Sequence, residues 1–343
     1  MARRDESGGA DVLAAREDDP MLGVHCLTEF VFCPRAGLCL YEQDPEFEER
    51  EEQRTGAYLP IYEQVELERS LKALLEQFWT VLLGGLAATV LCAGIAWYTG
   101  RLGFWIATAA IVLVAILALC DRGYWAFMAA QYLRIWKDAR PSLPDPDSSK
   151  TQDIHWCELM TAGFAMVEPP EPYTSEAWRL GGTPWRVLQY GDLRIPVFLH
   201  RTEWKGLFPQ HFVRMTAYCQ LLEAREGFRS PYGVVLQSGS YAAVTVPNSG
   251  RSQESLRDAL VQARSTIRDA EQANRFPPVP GSGEVCKECP LGRPKIHRAG
   301  EPFLRHQSPL PALVKSRYHS HCGDRFRWVP PHRQSARLGL TTE

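Results

Sequence analysis

Three groups of residues in this 343-residue chain have types and spacings that could do chemistry. Cys286 and Cys289 form a CxxC followed by Pro290, and two thiolates at that spacing can grip one soft metal ion or one cluster iron. Asp192, Glu203 and Lys205 spell D-x10-E-x-K, the carboxylates and amine that a hard divalent cation and an activated water would need. Arg201, Lys205, His211 and Arg214 follow closely and could line a basic groove for a phosphate backbone, or form an ordinary solvated face.

The acidic set meets a geometric objection. Residues 181–206, "GGTPWRVLQYGDLRIPVFLHRTEWKG", read as a Gly-rich entry, a strand, a turn at Gly191-Asp192 and a second strand. Asp192 then sits in the turn, while Glu203 lies beyond the far end of the second strand. At ~3.3 Å per residue the two are more than ~20 Å apart, too far for one metal ion to bridge. A turn Asp and an exposed Glu and Lys is the plainer reading.

The elements that must hold these groups read as follows. Residues 154–199 are expected to be mainly strands. Residues 207–227 carry apolar positions at helical spacing and end at Gly227, a C-cap residue. Residues 232–247 read as strand, Ser-Gly turn and strand, and 252–276 as a long polar-faced helix. Helix, strands, helix, strand pair and helix make an α/β domain with a mixed sheet flanked by helices. The chain has no GxGxxG or Walker loop, so no nucleotide cofactor is expected. The net charge of -2 gives no global signature of a nucleic-acid binder.

Two uncharged runs dominate the N-terminal half. Residues 78–98 and 102–120 are each long enough to span a ~30 Å hydrocarbon core, with Gly100 and Arg101 between them. Trp79, Trp97, Tyr98, Trp105, Tyr124 and Trp125 stand near the ends, as interfacial aromatics do. The turn is short, so both ends return to one side. That side carries Arg54, Arg69, Lys72, Arg122, Arg134, Lys137 and Arg140, against Arg101 alone at the turn, which marks it as cytoplasmic. The expectation is a multi-pass membrane protein with both termini in the cytoplasm and the membrane as one partner. Gly84, Gly85, Ala87, Ala88 and Gly94 would let the two helices pack closely. The implied layout is a disordered polar leader (1–20), a helical part (21–75), the transmembrane hairpin (76–122), an exit helix and linker (123–153), an α/β core (154–276), a Cys-containing segment (277–300) and a Pro/His/Arg-rich tail (301–343).

"FCPRAGLCLYEQ", the later strand–turn–strand, a helix with a Tyr and the distant CxxC together resemble the RecB-like PD-(D/E)XK nucleases of the CRISPR-associated exonuclease group. The resemblance covers roughly 25–75 and 154–295, with the membrane hairpin inserted between. It implies a restriction-endonuclease-like mixed sheet flanked by helices. It also implies positions for a metal site, and this chain departs from them. Trp185 stands where the resemblance implies an Asp, Phe198 where it implies a Glu, and His200 where it implies a Lys. Arg214 replaces a Gln, and Tyr218 remains. Trp and Phe supply no anionic oxygen for a hard cation, so Mg²⁺ or Mn²⁺ is not expected.

The same resemblance implies a four-iron cluster, with Cys33 as its distant first ligand and Cys286 and Cys289 as later ones. A last cysteine expected near Lys295 is missing, and Cys322 is the nearest later substitute. A 4Fe-4S cluster or zinc on Cys33, Cys286, Cys289 and Cys322, a relic of a lost cluster, and a redox dithiol all remain open. The expected function is a membrane-anchored, catalytically inactive nuclease-like protein acting as a nucleic-acid-binding or protein-scaffold module. An active metal-dependent DNA nuclease with displaced ligands and a metal-based sensor at the membrane are the alternatives.

Overall fold

The computed structural model describes residues 19–43, 63–100, 102–200, 206–237 and 239–273. The chain enters through a short strand β1 (Leu22–Gly23) into helix α1 (Val24–Phe32) and helix α2 (Pro34–Gln43). The break between these helices lies where the sequence puts Cys33-Pro34. A residue before proline is driven out of the helical region, and Cys33 is extended at φ -160°, ψ 121°. Pro34 then opens α2, where its missing N–H is no loss.

Helices α3 (Gln64–Thr99) and α4 (Leu102–Asp138) form an antiparallel pair. Gly100 ends α3 in the left-handed conformation at φ 62°. Both helices are long and apolar enough to cross a membrane, and their apolar stretches are almost wholly unburied by the rest of the chain, unlike a core hairpin. Each is longer than its uncharged run. The boundary expected between 122 and 123 is not a break, because α4 runs on through Asp121-Arg122. Helix packing follows the small residues in part. A Cβ on Gly85 would lie 3.0 Å from Ala115 Cβ, while Gly84 and Gly94 face open space.

The rest is α/β. A loop leads to β2 (Asp153–His155), helix α5 (Trp156–Thr161), β3 (Ala165–Val167), β4 (Tyr173–Ser175), β5 (Leu180–Gly182), β6 (Arg186–Tyr190) and β7 (Leu193–His200). Helix α6 (Pro209–Glu226), β8 (Tyr232–Gln237), β9 (Ala242–Pro247) and α7 (Gly250–Ala273) follow. The expectation of strands through 154–199 is corrected at α5, a six-residue helix whose Trp156, Cys157 and Leu159 are buried. The expected turn is in place: β6 and β7 pair antiparallel across Gly191-Asp192, with Gly191 at φ 56°. Gly227 caps α6 at φ 70°, also as expected.

Six strands form a mixed sheet in the order β2-β9-β8-β7-β6-β3, with β7 and β8 parallel and the other pairs antiparallel. The helix α6 makes the crossover that a parallel pair requires. A second, three-stranded sheet has the order β1-β5-β4. Alternation along the strands divides the six-stranded sheet into two apolar faces. Leu188, Ile195, Val197, Leu199, Val234 and Leu236 pack with α5 and with Leu67 of α3 and Ala129, Leu133 and Trp136 of α4. Val187 and Val235, with Phe198 against them, pack on the other side with α1, α6 and α7. The near ends of the two long helices are thus a layer of the α/β domain.

Candidate functional site

The hairpin position singled out in the sequence lies on the α6 face. In β7, Val197 and Leu199 point to the α3–α4 side, so Phe198 and His200, being offset by one residue, point to α6. In α6, His211, Arg214, Met215, Tyr218 and Leu222 recur at helical spacing and are all buried. Strand period and helix period together bring four of the singled-out residues into one cluster.

Arg214 is its centre. Its guanidinium carbon lies 4.1 Å from the centroid of the Phe198 ring, a cation–π contact. Its Nη2 donates to Thr28 Oγ1 at 2.8 Å and lies 3.1 Å from His25 Nδ1, both on α1. A guanidinium only donates, so His25 Nδ1 accepts and carries no proton. His211 is fixed in the same way: the Phe208 N–H donates to His211 Nδ1 at 3.1 Å, which places the neutral ring's proton on Nε2. The His200 and His211 rings meet edge to face, 5.1 Å between centroids.

Electrostatics follow from the packing. Burial, then the neighbouring His200, then Arg214 push the His211 imidazole down to about 4. Burial and Arg214 also lower His200. Both rings are neutral at pH 7 beside a charged guanidinium. An aromatic ring, two neutral imidazoles and a guanidinium offer no anionic oxygen, the donor that a hard divalent cation prefers.

Tyr218 completes the inner wall. It is 1% exposed, and its hydroxyl donates to the Thr183 carbonyl at 3.2 Å. The glycines at the hairpin entry permit this. A Cβ on Gly182 would lie 2.9 Å from Val24 Cγ2 and 3.1 Å from Tyr218 Cε1.

Two expectations about this region change, and two residues are added. Trp185 does not take a place in the α6 cluster. It packs against the apolar cluster of the α3–α4 face, with 6.4 Å between its ring centroid and that of Trp156, and it precedes β6, so strand alternation does not fix its side. His211 and Arg214 do not line a surface groove. They are 5% and 8% exposed, since helical spacing turns both towards the sheet. His25 and Thr28 join the site, although no motif marks them. Their i, i+3 spacing on a helix beside the Cys33-Pro34 break is the signal that was there to use.

Arg201, Glu203 and Lys205 lie outside the described residues, as do Cys286, Cys289 and Cys322. Asp192 is exposed in the β6–β7 turn, and Cys33 is buried between α1 and α2. Among the described residues, no group of three or more His, Cys, Asp or Glu side chains is placed to hold a metal ion. A scan against known protein families finds no match, and no curated protein matches the chain.

Proposed function

We propose that this chain is a membrane-anchored relative of the RecB-like PD-(D/E)XK nucleases whose hairpin has exchanged cleavage for packing, and that its α/β domain serves as a scaffold or binding module. The observation that carries this reading is the stack of Arg214 on Phe198, with His200 against His211. It fills the hairpin face where the resemblance implies a metal-binding carboxylate, a lysine and a glutamine. Scaffolding is favoured over nucleic-acid binding, because His211 and Arg214 are turned inwards. The anchor is α3 with α4. Their apolar stretches, and the excess of Arg and Lys on the side of Arg69, Lys72, Arg122, Arg134, Lys137 and Arg140, favour two crossings with both termini in the cytoplasm.

The test is incubation of the full chain, purified anaerobically into lipid nanodiscs, with labelled single- and double-stranded DNA and Mg²⁺, Mn²⁺ or EDTA. No metal-dependent cleavage is the expected outcome. Cleavage that disappears in a Glu203→Ala, Lys205→Ala variant would overturn the reading in favour of a displaced active site. Iron and acid-labile sulfide in the same preparation would assign the cysteines to a cluster.

A further inference from the structure

The exit end of α4 and the β8–β9 turn meet in a contact separate from the α6 cluster. Tyr241, just past the turn, has its ring 5.3 Å from that of Tyr132 and 5.9 Å from that of Trp136, both near perpendicular. Such edge-to-face pairs are the preferred aromatic geometry. The Tyr132 hydroxyl donates to the Gly239 carbonyl within the turn at 2.8 Å. The Tyr241 carbonyl accepts the Trp156 N–H at 2.8 Å, so the same residue also holds the start of α5. Trp136, Tyr241 and Trp156 are all buried.

On the other arm of the turn, β8 runs beside β7 in a fixed register. Val235 is the partner of Phe198, and Gln237 is the partner of His200. Gly239 and Tyr241 therefore follow the register partner of His200 by two and four positions. The strand end that backs the α6 cluster is the strand end that α4 grips. Asp121, where the uncharged run of α4 stops, precedes Tyr132 by about three helical turns, or ~16 Å of rise.

We infer that Tyr132, Trp136 and Tyr241 form a joint that fixes the site end of β8 to α4, so that the packing of Phe198 and His200 depends on the position of the long-helix pair. These three are positioning residues: they act on the cluster through β8. The joint follows from the fold and does not require the nuclease resemblance.

Amide hydrogen exchange on the full chain in nanodiscs tests this. In Trp136→Ala, the amides of Leu199, His200, Leu236 and Gln237 are expected to exchange at least about tenfold faster, while α7, on the opposite face, keeps its rates. Trp136→Phe restores a ring against Tyr241 and sheds an indole N–H that has no hydrogen-bond partner among the described residues, so it should return those rates to near the parent's. Tyr132→Phe removes only the bond to Gly239 and should give roughly threefold faster exchange at Leu236 and Gln237, even if Trp136→Ala proves too damaged to study. Unchanged rates at these four amides, equal acceleration in α7, or failure of Trp136→Phe to restore protection would each overturn the joint.

Discussion

The two faces of the six-stranded sheet arise from one strand alternation and are both apolar, but they differ in the polar groups they admit. The α3–α4 face is covered by aromatic and aliphatic side chains, Trp156, Trp136, Leu133 and Tyr241 among them. The α6 face takes in polar side chains, His211 and Arg214 among them, and partners these two with Phe198, Thr28, His25 and the Phe208 N–H. Burying a guanidinium costs stability unless its hydrogens and charge are matched, whereas an apolar layer carries no such cost. Apolar packing on both faces therefore holds the domain together, with Leu27, Leu221 and Leu256 on the α6 side as with Trp156 and Leu133 on the other. The α6 face adds to its apolar layer a polar network around Arg214.

That contrast can be broken most forcefully on the α3–α4 side. Trp156→Ala empties a side chain with 0% exposure, and should lower unfolding stability by about 3–5 kcal/mol in denaturant titrations of the solubilised chain. A loss below about 1 kcal/mol would show that α5 is not part of the core. Arg214→Ala comes next. It removes the stack on Phe198 and the bond to Thr28, and about 2–3 kcal/mol should be lost, with Arg214→Lys a poor substitute because an ammonium cannot reproduce the planar contact. Equal stability of the Arg and Lys forms would reduce the cluster to a loosely placed charge. Gly182→Ala should cost about 1–3 kcal/mol by forcing Val24 and the Tyr218 ring away from the hairpin entry. A neutral result there would mean that the α6 face is slack enough to yield.

Much of this was legible in the sequence, for physical reasons that differ by element. The β6–β7 hairpin was written in Gly191-Asp192, the end of α6 in Gly227, and the pause between α1 and α2 in Cys33-Pro34. The two long helices were visible as uncharged runs. Their full extent was not, since Asp121-Arg122 changes the solvent preference of α4 without interrupting its backbone hydrogen bonds. Helix α5 has six residues, too few for a 3.6-residue period to register, and β1, β3, β4 and β5 are too short to show alternation. The face of Trp185 was lost because it lies outside the strand, where alternation no longer holds. The contact of Arg214 with His25 spans 189 positions, and no local pattern encodes it.

The ionisation of His211 tests the closed α6 face most directly. Its folded-state value is depressed to about 4, against about 6.5 for an unfolded histidine. Between those values the unfolded chain binds more protons, so the His211 contribution to stability is intact above about pH 6.5 and is lost as pH falls towards 4. The measurement is a titration of the histidine ring signals by NMR on the full chain in nanodiscs, with His211→Gln to assign the resonance. The expected result is a neutral ring protonated on Nε2 that resists protonation until about pH 4. A midpoint near 6.5 would contradict it, and would mean that solvent reaches His211 and that the hairpin face stands open to a ligand.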